Sequence, residues 1–242
     1  MGLFDIFKSA PSSNAIANQV RRAKERYAQS DYRRMAMDKL LSWDTDEALE
    51  GILERFCVVV QSPHWDEEEK SWLVQEMVKR GEKVLPILRN FILEKNEVNH
   101  ALLAYEQIVN SADKYGEILL AALAARPPSD HRSVQSKQEI IAALAELKTQ
   151  SFDETLRPYL NDHSDDVQCA AINALASSGN EQTKSTLVDL LGSETHSARV
   201  LRCVASVISQ KKFHVSEKNT LADVVKEDFR IEGGFLTPRH EK

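Results

Sequence analysis

No apolar run in this chain is long enough to cross a bilayer: the longest, such as Ile118 to Ala125, fall far short of the roughly 18 residues a spanning helix needs. The opening MGLFDIFKSA lacks the basic start and long apolar stretch of a secretory signal, so a cytoplasmic location is expected. Cysteine is scarce. Cys57, Cys169 and Cys203 form no Cys-x-x-Cys spacing and fall on apolar helical stripes, which reads as small core residues rather than metal or redox ligands. No HExxH, GxGxxG, GxxxxGK[ST] or GxSxG is present. Ser209-Gln210-Lys211-Lys212 meets the SxxK spacing with no supporting motif and is incidental. His64 near Asp66, and His163 beside Asp162 and Asp165, sit at expected turns, where such residues are ordinary. No catalytic residue, cofactor or metal ligand is assigned. Excess basic charge is also missing: the net charge is −6, which disfavours nucleic acid, whose readers need a basic face to displace counterions from phosphate.

What the sequence does contain is a repeat. Leu144 matches Leu175 at an offset of 31, and Thr155-Leu156 matches Thr186-Leu187 at the same offset. In register, TLRPYLNDHSDDVQCAA overlays TLVDLLGSETHSARVLR, and EIIAALAEL from Glu139 overlays AAINALASS from Ala170. Each unit reads as helix, short polar turn, helix. One such pair cannot bury its apolar face alone and must stack on its neighbours.

These units resemble HEAT repeats in their short bacterial form. The likeness rests on Leu156, Pro158, Asp162, Asp165, Asp166, Val167, Ala170, Ala171 and Leu175, with Gln168 in the place of the usual Arg. In the next unit Arg199 regains the Arg, Ala198 replaces Val, and Arg202 stands where a small residue is usual. The resemblance implies an all-α, right-handed solenoid of antiparallel helix pairs. It also implies that second helices line the concave face, which would set Lys137, Gln168 and Arg199 in a ladder with Arg202 one turn later. Two readings of that ladder stay open: contacts for a partner, or hydrogen bonds to Asp165 and Asp166 that fix the stacking. HEAT-like iron hydroxylases carry paired His-Glu dipeptides on successive repeats, whereas this chain has one, His240-Glu241.

The N-terminal half is less regular. Val84-Leu85-Pro86-Ile87-Leu88 echoes Leu156 to Leu160 at a spacing of 72, which is no multiple of the repeat, and Arg126 to His131 supplies a loop. Asp44 is expected to cap a helix bearing the stripe Leu49, Ile52, Leu53, Phe56, Cys57 and Val60. A second helix is expected to open at Asp66 to Glu69 and close at Gly81, and a third to carry Val98, Ala101, Leu102, Tyr105 and Ile108. The domain plan is a leader and linker over 1–13, one repeat domain over 14–226 (divergent over 14–126, regular over about 132–210) and a tail over 227–242.

Charge is uneven in that half. Asn14 to Lys39 holds seven basic residues against three acidic, and Trp43 to Lys70 two against nine. Mutual pairing across the first helix hairpin and a docking surface of opposed potentials both account for this. Trp65 and Trp72, seven apart, are candidate anchors for a partner. Leu3, Phe4, Ile6 and Phe7 form an apolar leader similar to the amphipathic start of the bacterial glucose-specific enzyme IIA. It is read either as a weak, reversible contact with the inner membrane face or as a cap on the first repeat. In the tail, Phe229, Ile231, Phe235 and Leu236 are set to cover the last helix or to serve as a linear motif. Together these features lead to the expectation of a non-enzymatic scaffold or adaptor binding another protein. The alternatives are an enzyme on the same scaffold, of glycosylase or phycobilin-lyase type, and a peripheral membrane adaptor.

Overall fold

The computed structural model of the chain describes residues 10–147, 152–178 and 180–239. Where the sequence reads as one repeat domain, internal contacts divide the chain into two compact units, Met1–Tyr115 and Gly116–Lys242. Both are built from helices, as expected.

The first unit begins with α1 (Ser13–Ala23), started by Ser12, whose hydroxyl accepts the Ala15 N–H at 3.3 Å. α2 (Ser30–Trp43) ends at Asp44, which takes a left-handed conformation with φ 52°. Asp44 is thus the terminator of α2, and Thr45 caps α3 (Asp46–Leu53) by accepting the Ala48 N–H at 3.3 Å. That corrects the expected cap by one residue: a short polar side chain tolerates a left-handed turn, and Thr45 is left to face the free amides. The stripe beyond Leu53 continues as a 3-10 turn, Glu54–Cys57. α4 (Pro63–Arg80) opens three residues before Asp66, with proline in its first turn, and closes at Gly81, φ 62°. A second 3-10 turn (Gly81–Val84), α5 (Leu85–Glu94) and α6 (Asn99–Val109) follow. α1 packs on α2 and α3, α3 on α5, and α4 on α6. Met37, Leu40, Leu49, Ile52, Leu73, Met77, Leu88 and Ile92 are fully buried between them, each contributing about 1.5–3 kcal/mol.

The second unit takes in the greater part of α7 (Ala112–Ala124), which carries the boundary between the units. The Tyr159 hydroxyl closes the end of α7 by donating towards the Leu123 and Arg126 carbonyls at 2.8 and 3.1 Å. Then come α8 (Val134–Glu146), α9 (Asp153–Leu156) with a 3-10 turn (Arg157–Asn161), α10 (Asp165–Ser177), α11 (Glu181–Leu190) and α12 (Ala198–Lys211). Pro158 keeps α9 to a single turn because it has no N–H to donate. α8, α10 and α12 stack in succession, and α11 packs on both α10 and α12.

The described part of the tail, 227–239, is structured. After α13 (Asp223–Asp228), β1 (Phe229–Glu232) and β2 (Phe235–Pro238) pair antiparallel around Gly233 and Gly234, φ 60° and 81°. β2 lies on α12, and Leu236 is buried. The hairpin is the one departure from helix among the described elements.

Candidate functional site

Within the first unit, α2, the Glu54–Cys57 turn and α4 meet around five buried charged side chains. Glu69 accepts Arg33 Nη2 at 2.6 Å, Arg33 Nε at 3.0 Å, Arg55 Nε at 3.0 Å and the Ser30 hydroxyl at 2.8 Å. Asp66 accepts Arg55 Nη2 at 2.8 Å and the Val60 N–H at 3.0 Å, and Lys70 pairs with it at 2.7 Å. Burial alone would raise both carboxyl pKa values. For Glu69 the bonds from Arg33, Ser30 and Arg55 outweigh it, and for Asp66 those from Lys70, Arg55 and Val60 do; both carboxyls are held below the ordinary range. Three cations share two carboxylates.

This network shapes the loops above it. Arg33 Nη1 reaches past Glu69 to donate to the Ala28 carbonyl at 2.5 Å and the Glu25 carbonyl at 3.3 Å, fixing the α1–α2 turn. Arg55 Nη1 donates to Val58 O at 2.7 Å, fixing the strand-like link into α4. Between these two links lies a cleft of about 370 Å³ lined by Arg26, Tyr27, Gln29, Gln61, Ser62 and Trp65, with Arg33 among its walls. Tyr27 is 82% exposed and Trp65 45%. Val59, Tyr32 and Met35 are further exposed large side chains on or next to these segments.

The sequence candidates fare differently. Trp65 lines the cleft, whereas Trp72 is half-buried with the Arg34 guanidinium 3.4 Å above its ring. Lys137 is 0% exposed, so it is unable to touch a partner; its ammonium lies 2.5 Å from Asp162 and 3.0 Å from the Asp130 carbonyl. Gln168 donates to the Asp162 carbonyl at 2.5 Å, and Arg199 pairs with Asp166. Arg202 is held by Asp228 at 2.7 Å and Glu227 at 3.5 Å. The ladder therefore binds acidic turns and the segment before the hairpin, and Lys137 is withdrawn as a contact residue. The opposed charge runs pair in part with each other, as in Lys24 with Glu54 at 3.1 Å and Arg33 with Glu69. Leu3, Phe4, Ile6 and Phe7, and the His240-Glu241 dipeptide, lie outside the described residues.

Sequence reasoning missed the charge network. Asp66 to Glu69 reads as helix-dipole charge, but Asp66 and Glu69, three apart, share one face of α4 and turn inward. Arg55, inside the stripe from Leu49 to Val60, was the available signal: a cation on a buried face needs a buried anion.

Among the described residues no group of three or more metal-ligating side chains converges, and no helix is long and apolar enough to cross a membrane. Residues 116–207 match the family model of HEAT repeats, a span that lies wholly within the second unit. No curated protein matches the chain. Among solved structures, human deoxyhypusine hydroxylase in complex with glycerol matches over 81% of this chain and 85% of its own, at 14% identity and a TM-score of 0.27. The expectation of a non-enzymatic scaffold or adaptor is corrected on this point. That solved structure is of an enzyme, and HEAT repeats do not separate scaffolds from enzymes. At that TM-score the likeness assigns no activity to this chain.

Proposed function

We propose that the first unit recognises a peptide segment of another protein, bearing a large apolar side chain, in the cleft between Tyr27 and Trp65. The observation that carries this reading is a pair of exposed aromatic rings, Tyr27 on the α1–α2 turn and Trp65 in the first turn of α4, flanked by links whose backbone is held from beneath by buried arginines. Tyr and Trp on rigid supports supply contact area at little cost in conformational entropy. Val59, next in sequence to the Val60–Ser62 wall of the cleft, is 67% exposed and adds apolar surface beside it, which favours a chain segment as the ligand. Of the charged residues around the cleft, Arg26 and Asp31 carry opposite charges with no ion-pair partner among the described residues, and the Arg33 charge is matched by Glu69, so the aromatic pair and not net charge sets the preference. The proposal concerns binding and assigns no reaction. It sets the encounter in the bacterial cytoplasm.

Panning a randomised peptide library against the full chain tests the reading. Enriched sequences should share an aromatic or large aliphatic residue. A synthetic copy should bind at least about tenfold more weakly to Tyr27→Ala and to Trp65→Ala, and unchanged to Arg199→Ala. Failure to enrich any sequence, or binding indifferent to both cleft substitutions, rejects it.

A further inference from the structure

The hairpin of the second unit leaves one strand edge open. The outer side of β2 is covered in part by the segment after α12: His214 bridges Phe235, and the Val215 N–H donates to the Gly234 carbonyl at 2.8 Å. β1 has no neighbour but β2 among the described strands. A cleft of about 350 Å³ borders it instead, with Leu221, Phe229, Arg230 and Ile231 among its walls.

The register fixes which groups of β1 face outward. In an antiparallel pair, opposed residues alternate between those that exchange both backbone bonds and those that exchange none. The Arg239 N–H donates to the Asp228 carbonyl at 2.8 Å, so Asp228 with Arg239 belongs to the bonded set, and with it Arg230–Thr237 and Glu232–Phe235. Phe229 and Ile231 therefore turn their N–H and carbonyl groups away from β2. At Phe229 both are used within the chain: the N–H donates to the Val225 carbonyl, and the carbonyl accepts Arg239 Nε at 3.1 Å. The two groups of Ile231 meet no hydrogen-bond partner among the described residues, and Ile231 is half-exposed.

On either side of Ile231 stand opposite charges. Arg230 and Glu232 are exposed on one face of β1 and bond each other at 3.2 Å. Turned end for end, a strand reading Arg-Ile-Glu is its own electrostatic complement: antiparallel to an identical strand, with Ile231 opposite Ile231, it sets each Arg230 across from Glu232 of the other copy. A slip of two residues in either direction would oppose Glu232 to Glu232 or Arg230 to Arg230.

We infer that β1 is a homotypic docking edge, which joins two copies of this chain through an antiparallel β1–β1 pair about Ile231. The two Ile231 residues exchange both backbone bonds, and two Arg230–Glu232 pairs flank them. Two hairpins become one four-stranded sheet. With one fully bonded pair at its centre the contact is small, and the dimer is weak and concentration-dependent.

Sedimentation velocity of the full chain between about 1 μM and 1 mM tests this. A monomer should pass to a dimer, and to nothing larger, because the pairing uses up the edge. Ile231→Pro removes the outward N–H without touching a bond inside the hairpin, and should raise the dissociation constant at least about tenfold. Glu232→Arg opposes like charges twice across the two-fold, and should also raise it about tenfold. Combining Arg230→Glu with Glu232→Arg restores the complement and should return the constant to within about threefold of the wild type. A chain that stays monomeric throughout, or a dimer indifferent to both single substitutions, overturns the inference. So does a double variant that dimerises no better than Glu232→Arg alone. The charge variants alter exposed side chains only, so they decide the matter even where the proline variant unfolds.

Discussion

The first unit gathers its buried charge into one knot, Glu69 and Asp66 among Arg33, Arg55 and Lys70. The second spreads its polar ties along the stack, Lys137 to Asp162, Gln168 to the Asp162 carbonyl and Arg199 to Asp166. The difference follows from periodicity. A repeat brings an equivalent position to an acidic turn every 31 residues, with a different partner each time, and each tie has only local work. Irregular helices of 8 to 18 residues have no such register. Their polar contacts converge where the chain happens to bring three elements together, and the stability of the whole unit comes to hang on them.

The largest test of this contrast is Glu69→Ala, which strands Arg33 and Arg55 together. It should lower the unfolding free energy of the first unit by about 5 kcal/mol, measured by urea denaturation. A loss below about 1 kcal/mol would show that the knot relaxes by admitting water and that the contrast is false. Next in size, Lys137→Met leaves Asp162 buried without its cation and should cost about 3 kcal/mol. Methionine keeps the length of the stem, so a neutral result would mean that packing and not the ion pair fixes that position.

The contrast also has a pH signature. The Glu69 and Asp66 carboxyls sit below their ordinary range in the folded unit, so the stability they supply is fully present above the unfolded carboxylate range and is lost as pH falls through their lowered folded values. Acid unfolding followed by Trp fluorescence should therefore fall with a steeper slope in the wild-type chain than in Glu69→Gln. Equal slopes would assign the acid sensitivity to other carboxyls. The smallest effect is expected for Arg199→Ala, because that pair lies open to water. The denaturation midpoint should not move measurably, and a clear shift would mean that even exposed ties in the stack are coupled.

The same contrast explains what the sequence makes legible. Repetition is readable from one chain because each copy tests the others, so the helix pairs around Leu156, Val167 and Leu175 and the polar ladder are all placed by the repeat itself. The role of Lys137 is not, since a side chain at a ladder position looks the same whether it points to solvent or into a neighbouring acidic turn; full burial decides it. In the irregular half, local patterns mark the helices but misplace their ends, at Thr45 and at Pro63, because left-handed termination and proline starts compete with the nearest acidic residue for the cap. The cleft is visible in the sequence only through Trp65. Tyr27 sits in a turn with no period, and its exposure depends on Arg33, six residues away, bonding the carbonyls on either side of it.

That last bond has an evolutionary consequence. Arg33 holds the turn by the main-chain oxygens of Glu25 and Ala28 and asks nothing of the side chains there. Arg26, Tyr27 and Gln29 are thereby free to drift without endangering the fold beneath. A lineage carrying this buried arginine can revise what the loop recognises by single substitutions, because the shape of the loop and its chemistry are inherited separately.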